Sequence, residues 1–312
     1  MSRTEVRLSD AALPAWQGVL PPWPGEVEGD VFVRRAPASG GEPAVFVHGL
    51  GGASTNWTDL MGLLAGTVDG AALDLPGFGW SPPAATYSLR THVRAVIDLL
   101  ERQGRGPVHL FGNSLGGAVS TRVAARRPDL VRTLTLVSPA LPSLRPRRGL
   151  DPRMPLMAIP GISSLLSRKM AEISPEKRAL AVINLCYADP SSIPKERRRE
   201  AIEEVSRRSG LPHGAEALTG SLRGLVASWL ERGERNLWRQ ARSVRVPTLL
   251  VWGTEDRLVD VSLAPKALAA FPSSRLLVLA GVGHVAQLEQ PETVARAFLA
   301  LREDADAKRA RA

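Results

Sequence analysis

The sequence predicts an α/β fold in which a mostly parallel sheet carries helices on both faces and an inserted helical cap. Short apolar runs alternate with segments of helical spacing over residues 27–137, and the same rhythm returns over residues 248–301. The segment between them, residues 141–243, is proline-rich and then helical, with little strand signal. We therefore predict a core formed by residues 1–140 and 244–312, and a cap (lid) formed by residues 141–243 whose two ends lie on one rim of the sheet.

The first half of the core reads as strands and helices that follow an irregular, proline-containing arm over residues 1–25. Its apolar runs are short, as is typical of strands buried on both faces of a sheet. The predicted strands span residues 27–35, at an edge, and residues 44–47, 70–75, 108–111 and 133–137. The predicted helices span residues 57–64, 93–100 and 118–127.

The insertion and the second half of the core differ in the kind of element that they predict. The predicted cap helices span residues 155–170, 175–185, 195–208 and 214–231. Alternation then resumes, with predicted strands over residues 248–252 and 275–280 and predicted helices over residues 263–271 and 292–301. The last residues, 304–312, are charged and rich in alanine, and we expect this tail to fray.

The positive charge of the chain is concentrated in the predicted cap. The whole chain of 312 residues has a net charge of +9, and residues 141–243, with 19 basic and 11 acidic side chains, carry +8 of it. The basic residues are interspersed with glutamates, a pattern typical of a solvated helical surface, so we expect no nucleic-acid partner. Attraction of an acidic or carrier-linked acyl substrate is the alternative interpretation of this charge.

The composition, 44% hydrophobic and 23% charged residues, is that of an ordinary globular protein. Cys186 is the only cysteine, so neither an intrachain disulfide nor a thiolate metal cluster can form. The first 19 residues lack the apolar centre of a secretory signal, and no stretch is long enough to span a membrane. We predict a cytoplasmic protein without stable membrane insertion, and no feature of the sequence specifies an oligomeric state.

A glycine-rich turn, Gly112-Asn113-Ser114-Leu115-Gly116-Gly117, joins a predicted strand to a predicted helix. So sharp a turn requires neighbours without side chains, and it lifts the serine hydroxyl out of the sheet. The helix N-terminus that follows also favours negative charge. Ser114 is therefore the predicted nucleophile, because its attack on a carbonyl creates an oxyanion.

A serine hydroxyl needs a base, and the base needs an acid that holds its tautomer. His284 follows the last predicted strand of the sheet, on a glycine-flanked loop, and is the predicted base. Asp256 follows the preceding strand and is the predicted acid, with Glu255 and Asp260 as the alternatives. The order serine, aspartate, histidine along the chain is the order that this architecture requires.

Five segments carry a family resemblance through their order and spacing. They are His48-Gly49-Leu50-Gly51-Gly52, Asp74-Leu75-Pro76-Gly77-Phe78-Gly79-Trp80-Ser81, Gly112-Asn113-Ser114-Leu115-Gly116-Gly117, Gly253-Thr254-Glu255-Asp256-Arg257 and Gly283-His284. On these segments the chain resembles an α/β-hydrolase fold enzyme with a cap domain, over nearly all of residues 27–301 outside the cap. The resemblance implies an α/β-hydrolase sheet and a serine hydrolase.

The resemblance also implies roles for residues beside the predicted nucleophile. The backbone N–H groups of Leu50 and Leu115 are expected to form the oxyanion hole, which makes their side chains irrelevant to that role. His48 and Asp74 are expected to hold loops and to take no part in the chemistry.

Two serine chemistries follow from the resemblance, since epoxide hydrolases and haloalkane dehalogenases of this fold use a carboxylate at the turn. We predict hydrolysis of a carboxylic ester, with a small-molecule acyl substrate, an acyl-enzyme intermediate and no cofactor. Carbon–carbon bond hydrolysis is the alternative, because residues 112–117 and Gly283-His284-x-Ala286-Gln287-x-Glu289 resemble the meta-cleavage product hydrolases. Those enzymes usually have a longer glycine-rich segment after the His-Gly pair and a tryptophan where this chain has Val285.

Two further interpretations use the same fold: a cofactor-free haloperoxidase side activity, and a catalytically idle protein that serves in binding. No loss of a triad residue, which is common in idle members, is visible in the sequence.

The substrate pocket is expected beneath the cap. Gly49 and Asn113 are the candidate substrate contacts in the core. Seven apolar cap residues are candidates either for the lining of an acyl site or for the core of the cap itself: Met154, Leu156, Met157, Ile159, Leu165, Leu166 and Trp229.

Overall fold

The computed structural model describes residues 6–14, 18–143 and 172–311. Its strands are β1 (Gly25–Glu28), β2 (Val31–Arg35), β3 (Glu42–Val47), β4 (Val68–Asp74), β5 (Val108–Asn113), β6 (Val131–Val137), β7 (Thr248–Gly253) and β8 (Ser274–Leu279). They form one sheet in the order β1-β2-β4-β3-β5-β6-β7-β8.

The sheet is mostly parallel, as predicted. Only β1 with β2 and β2 with β4 pair antiparallel, while β4, β3, β5, β6, β7 and β8 run parallel in sheet order. The register pairs Val47 with Gly112, Asn113 with Val137 and Val137 with Val251. The carboxyl ends of these strands, where the predicted site residues follow, therefore meet at one edge of the sheet.

Helices cover the sheet and make up most of the described part of the predicted insertion, residues 172–243. They are α1 (Thr58–Leu63), α2 (Leu89–Gln103), α3 (Leu115–Arg126), α4 (Pro175–Cys186), α5 (Lys195–Gly210), α6 (Gly214–Trp229), α7 (Leu237–Ser243), α8 (Ala264–Ala270), α9 (Ala286–Glu289) and α10 (Pro291–Arg309). Helices α4 to α7 lie between β6 and β7 along the chain. No helix in the described ranges is long and apolar enough to cross a membrane.

The insertion was only partly predictable from the sequence. Helices α4, α5 and α6 match three predicted cap helices, whereas α7 has no counterpart among the predicted elements. The predicted helix over residues 155–170 lies outside the described residues. The division into a core of residues 1–140 and 244–312 and a cap of residues 141–243 stays a prediction.

Apolar side chains pack on both faces of the sheet. On one face, Leu110 and Leu134 belong to a buried cluster that includes Val96 of α2 and Val119 of α3. On the other face, the rings of Phe46 and Phe111 stack with their centroids 4.3 Å apart, and Phe298 of α10 lies 4.8 Å from Phe111. Alternate side chains of one strand thus serve two separate cores, which fixes the strand register.

The edge of the sheet differs from the prediction of a single strand over residues 27–35. The structure forms a hairpin in this segment, in which β1 and β2 pair and Val27 lies opposite Phe32. Gly29 supplies the positive φ, +63°, that the tight turn requires. Valines 27, 31 and 33 alternate along the sequence as in one continuous strand, but the paired register places Val27 on the face opposite to Val31 and Val33, and Val27 is exposed.

The expectation that residues 304–312 fray is wrong over residues 304–309, because α10 continues to Arg309; Ala312 lies outside the described residues. Asp304 forms an ion pair with Arg275 of β8, and Arg302 donates to Glu42 of β3 at 3.0 Å. Ala305 is 5% exposed. These contacts join residues far apart in sequence, so no local pattern could indicate them.

A buried ion pair ties α5, in the insertion, to α1, in the core. The guanidinium of Arg197 donates to both carboxylate oxygens of Asp59, at 2.9 and 2.7 Å. The side chains of Arg197 and Asp59 are 6% and 4% exposed. Asp59 also accepts the backbone N–H of Leu20 at 2.9 Å, while Arg197 donates to the Leu20 carbonyl at 2.8 Å. The N-terminal arm, α1 and α5 are therefore joined at one point.

Substitution of Asp59 by Asn should lower the free energy of unfolding by roughly 1.5–3 kcal/mol, because it removes the charge from one of the two carboxylates, Asp59 and Glu200, that pair with the buried Arg197 guanidinium. Asp98→Asn is the matched control, since Asp98 pairs with an Arg94 side chain that is 76% exposed; its cost should stay below about 1 kcal/mol. Urea unfolding of both variants measures the difference, and equal losses would contradict the assigned role of the pair.

Two buried histidines are held neutral by their surroundings. His92 of α2 lies 2.8 Å from the hydroxyl of Ser221 of α6, and burial, with His48 nearby, lowers its pKa to about 3. His109 of β5 contacts Thr133 at 2.8 Å, and burial, with Arg302 nearby, lowers its pKa to about 4.

The protein should therefore lose stability as the pH falls below about 6.5, where these histidines bind protons in the unfolded chain but not in the folded one. Each contributes a slope of about 1.4 kcal/mol per pH unit until its folded-state pKa is reached. His92→Gln should reduce the measured slope by that amount between about pH 6 and about pH 5. An unchanged slope in urea titrations would refute the assignment of His92.

Candidate active site

A strained backbone conformation marks Ser114. Strand β5 ends at Asn113, α3 begins at Leu115, and Ser114 lies between them with φ 53° and ψ −115°. A residue with a side chain rarely adopts a positive φ, so the surrounding contacts must hold it there. A Cβ on Gly112 would lie 2.5 Å from the carbonyl oxygen of Gly116, which explains the need for glycine before the turn.

His284 and Asp256 form a buried hydrogen-bonded pair. Nδ1 of His284 lies 2.9 Å from Oδ2 and 3.0 Å from Oδ1 of Asp256. The backbone N–H groups of Leu258 and Val259 also donate to Oδ1, each at 2.8 Å, and so fix the carboxylate. Since an ionised carboxylate only accepts hydrogen bonds, Nδ1 carries the proton and Nε2 is the basic nitrogen.

The charge of Asp256 is maintained in spite of its burial. Burial alone would raise the pKa of this carboxyl, but the His284 imidazole, the hydrogen bond between them and the Val259 N–H hold the pKa below its usual range. Asp256 is therefore ionised at neutral pH. Of the alternative acids, Glu255 is exposed, and Asp260 accepts the N–H of Ser262 at 2.7 Å.

Asn113 connects the serine turn to the histidine loop. Its Nδ2 donates to the carbonyl oxygens of Val137 and His284, each at 3.1 Å. These bonds place Ser114 and His284 at the same edge of the sheet, although no direct hydrogen bond joins the two side chains in the described part of the chain. The predicted contact of Asn113 with substrate stays a prediction.

The loop after β3 borders the serine turn. A Cβ on Gly49 would lie 3.1 Å from Cβ of Ser114 and 2.8 Å from Oδ1 of Asn113. Leu50 directly follows this point of contact. Leu115 is the first residue of α3, so its N–H has no acceptor within the helix. Both segments to which the sequence assigns oxyanion N–H groups therefore border Ser114.

His48 and Asp74 bind the loops around the site. Nδ1 of His48 lies 2.7 Å from the carbonyl of the next residue, and its Nε2 accepts the N–H of Leu75 at 2.9 Å. Burial lowers the pKa of His48, which is therefore neutral. Asp74 accepts the N–H groups of Ser54 and Trp80, at 2.5 and 2.8 Å. Such contacts are those of residues that hold loops.

The chain that leaves α4 contacts the histidine loop. The carbonyl of Cys186 accepts the N–H of His284 at 2.7 Å, and the Glu289 carboxylate accepts the N–H groups of Gly283, at 2.8 Å, and Ala188, at 2.9 Å. The sequence pattern assigned no role to these cap residues or to Glu289. One signal in the sequence could have indicated Glu289. It lies five residues after His284, in the segment that resembles the meta-cleavage product hydrolases.

Part of the positive charge of the predicted cap is paired with acidic neighbours: five of the thirteen basic residues in its described part, residues 172–243. Ion pairs engage five of its arginines: Arg197 with Asp59 and Glu200, Arg199 with Glu203, Arg207 and Arg208 with Glu204, and Arg223 with Glu216. The idea that this charge attracts acidic substrates stays a prediction.

Trp229 is the one predicted pocket residue of the cap that falls within the described ranges. Its indole N–H donates to the carbonyl of Ala140 at 3.2 Å, and its ring packs against the buried cluster on the α3 face. These contacts favour a role in the packing of the cap against the core. The other six lie outside the described residues: Met154, Leu156, Met157, Ile159, Leu165 and Leu166.

A family model described as the alpha/beta hydrolase family matches residues 44–297. The chain belongs to the alpha/beta hydrolase family. The match includes the serine turn, the Asp256 loop and the His284 loop, and it spans the inserted helices. The protein is accordingly an enzyme of the hydrolase class, as the sequence predicted.

Three proteins illustrate what this alpha/beta hydrolase is similar to. A 2-hydroxy-6-oxononadienedioate/2-hydroxy-6-oxononatrienedioate hydrolase from Pseudomonas sp is 29% identical over 278 residues, which cover 86% of this chain and 90% of that protein. The dihydrolipoyllysine-residue acetyltransferase component of an acetoin cleaving system from Cupriavidus necator is 31% identical over 85% of this chain, which spans 64% of that protein's length.

The third is a solved structure. The 2-hydroxy-6-oxo-6-phenylhexa-2,4-dienoate hydrolase of Rhodococcus sp. strain RHA1 superposes with a TM-score of 0.71 at 21% identity, covering 88% of this chain and 94% of that chain. At this identity the similarity shows the shared fold alone.

Gly116→Ala should destabilise the serine turn by roughly 1–3 kcal/mol, because the added Cβ would overlap the carbonyl oxygens of Val47 and His48 at the end of β3. Gly210→Ala is the control, since a Cβ at this position, the last residue of α5, meets nothing within 4 Å. Urea unfolding compares the two variants. Equal stability would show that the turn tolerates the extra methyl group.

Proposed function

We propose that this protein is a serine hydrolase that cleaves carboxylic esters through a triad of Ser114, His284 and Asp256. The observation that carries the proposal is the geometry of the buried His284–Asp256 pair, at 2.9 Å, on the same sheet edge as a serine held in a strained turn. Strained backbone conformations of this kind cluster at functional sites, which supports a chemical role for Ser114.

The proposed reaction begins when Nε2 of His284 accepts the hydroxyl proton of Ser114 as Oγ attacks the ester carbonyl. The imidazolium, stabilised by Asp256, then gives this proton to the departing alcohol, and an acyl-enzyme remains on Ser114. Water, deprotonated by His284, attacks the acyl carbon. The acid product leaves, and the proton returns to Ser114.

The negative charge of each tetrahedral intermediate requires donors near the attacked carbonyl. The backbone N–H groups of Leu50 and Leu115 are proposed for this role, since both belong to segments that border Ser114. Such donors act without moving during the reaction, so they favour the transition state over the neutral ester. The positive end of α3 adds to this stabilisation.

Ester cleavage requires less of the site than carbon–carbon cleavage does. An alkoxide leaving group needs one proton, which the imidazolium supplies, whereas a carbon leaving group must also be stabilised as a carbanion. The residues that resemble the carbon–carbon hydrolases are engaged in the fold here: Asn113 donates to two backbone carbonyls, and Glu289 accepts two backbone N–H groups. Val285 stands where those enzymes usually have tryptophan.

Carbon–carbon bond hydrolysis remains the second candidate. The similarity that favours it is that to the Pseudomonas hydrolase named above, which extends over 90% of that protein. The direct comparison is therefore between p-nitrophenyl acyl esters of graded chain length and a vinylogous diketone, assayed side by side.

Wild-type protein should hydrolyse the esters, and Ser114→Ala should abolish turnover. Asp256→Asn should lower kcat by about 10⁴-fold, because the amide selects the wrong imidazole tautomer. Glu255→Gln and Asp260→Asn, the matched changes at the two alternative acids, should leave kcat within about threefold of wild type.

Steady-state kinetics with the set of four variants tests both the reaction and the assignment of the acid. A diketone turned over much faster than every ester would replace the proposed reaction by carbon–carbon hydrolysis. A loss of activity in Asp260→Asn comparable to that in Asp256→Asn would overturn the assignment of the acid.

A further inference from the structure

The chain at the end of α4 in the cap contacts the backbone of His284, the proposed catalytic base. His284 N–H donates to the Cys186 carbonyl at 2.7 Å, immediately after α4. A Cβ on Gly283 would lie 2.7 Å from the Ala188 nitrogen and would overlap the Cys186 carbonyl, so the two segments are in backbone-to-backbone contact. The guanidinium of Arg257, next to Asp256, donates to the carbonyl of Asn184 at 2.6 Å.

Glu289 holds these two segments together. Its Oε1 accepts the N–H of Gly283 at 2.8 Å, and its Oε2 accepts the N–H of Ala188 at 2.9 Å. The short helix α9 sets the position of this carboxylate, since Glu289 N–H donates to the Val285 carbonyl at 3.0 Å. One side chain thus bonds the cap on one oxygen and the histidine loop on the other.

Burial disfavours the ionised form of the Glu289 carboxyl. Burial raises the pKa of the Glu289 carboxyl, and the nearby Asp256 charge raises it further. The backbone N–H groups of Ala188, Gly283 and Val285 act in the opposite direction and lower this pKa. Within the described ranges, no lysine or arginine forms an ion pair with Glu289. A residue needed only to fill this space could be neutral. Binding both the Gly283 and the Ala188 N–H requires two acceptor oxygens, whereas a neutral amide has one and would turn its NH₂ group towards the other N–H.

We propose that Glu289 is a positioning residue, which aligns His284 with Ser114 by fastening the histidine loop to the cap segment of residues 186–188. The proposal rests on the proposed function, since it requires His284 to act as the base. The backbone of His284 is then fixed on both sides: its N–H by the cap and its carbonyl by Asn113, at 3.1 Å. Displacement of the cap segment would consequently displace the base.

Glu289→Gln tests the proposal, and Glu292→Gln is the matched control. Glu292 lies three residues further along, in α10, where its 53%-exposed side chain pairs with Arg296 and touches neither the cap nor the histidine loop. Because a misplacement of about 1 Å can cost about 10²-fold in rate, Glu289→Gln should lower kcat by about ten- to hundredfold. KM should change by less than about threefold, since substrate contacts are untouched.

Two further measurements separate alignment from general damage to the fold. The rate at which a fluorophosphonate labels Ser114 should fall in parallel with kcat, because labelling needs the same base. Hydrogen–deuterium exchange should become faster in peptides covering residues 184–190 and 281–288 together, and elsewhere stay as in wild type. Glu292→Gln should match wild type in all three measurements.

Wild-type kcat and labelling rate in folded Glu289→Gln would overturn the proposal, and so would faster exchange in the histidine loop with an unchanged cap segment. If Glu289→Gln does not fold, Glu289→Asp replaces it: the shorter carboxylate cannot reach both N–H groups, so the same fall in kcat is expected. Wild-type protein that neither hydrolyses esters nor reacts at Ser114 would refute the proposed function instead, and exchange alone would then decide whether Glu289 fastens the cap.

Discussion

The turn at Ser114 is the constraint on which the rest of the structure depends. A positive φ of 53° at a residue with a side chain is stable only if every neighbour is placed to hold it. The parallel sheet supplies the Val137 carbonyl that binds Ser114 N–H at 3.0 Å, α3 supplies the helix N-terminus, and glycines on both sides leave the necessary space. A change in the sheet register would therefore move the Val137 carbonyl and disturb the backbone conformation of Ser114.

The site is assembled by backbone groups more than by side chains. Leu258 and Val259 N–H groups orient Asp256, and the cap binds His284 through its N–H. Backbone positions move only with the elements that carry them, so the geometry around Asp256 and His284 follows the packing of the sheet and the insertion.

The sequence indicated the parts of the site that are local in the chain. The serine turn, the Asp256 loop and the His284 loop each combine a strand, glycines and one reactive residue within a few positions, and their order fixes their roles. Contacts between distant residues left no such pattern: Ala188 and Glu289 are 101 positions apart, and the ion pairs that extend α10 join it to β3 and β8. The hairpin at Gly29 was missed because Val27, Val31 and Val33 alternate along the sequence as they would in a single strand, although the register places Val27 on the opposite face.

The contacts of Asp59 have a consequence for the role of the N-terminal arm. The same carboxylate receives Leu20 of the N-terminal arm and Arg197 of α5, so the arm is one of the supports of the cap. An affinity tag or a deletion near the N-terminus, commonly regarded as remote from the chemistry, therefore acts on a segment that contacts α5 directly, since Arg197 donates to the Leu20 carbonyl across 177 positions of sequence.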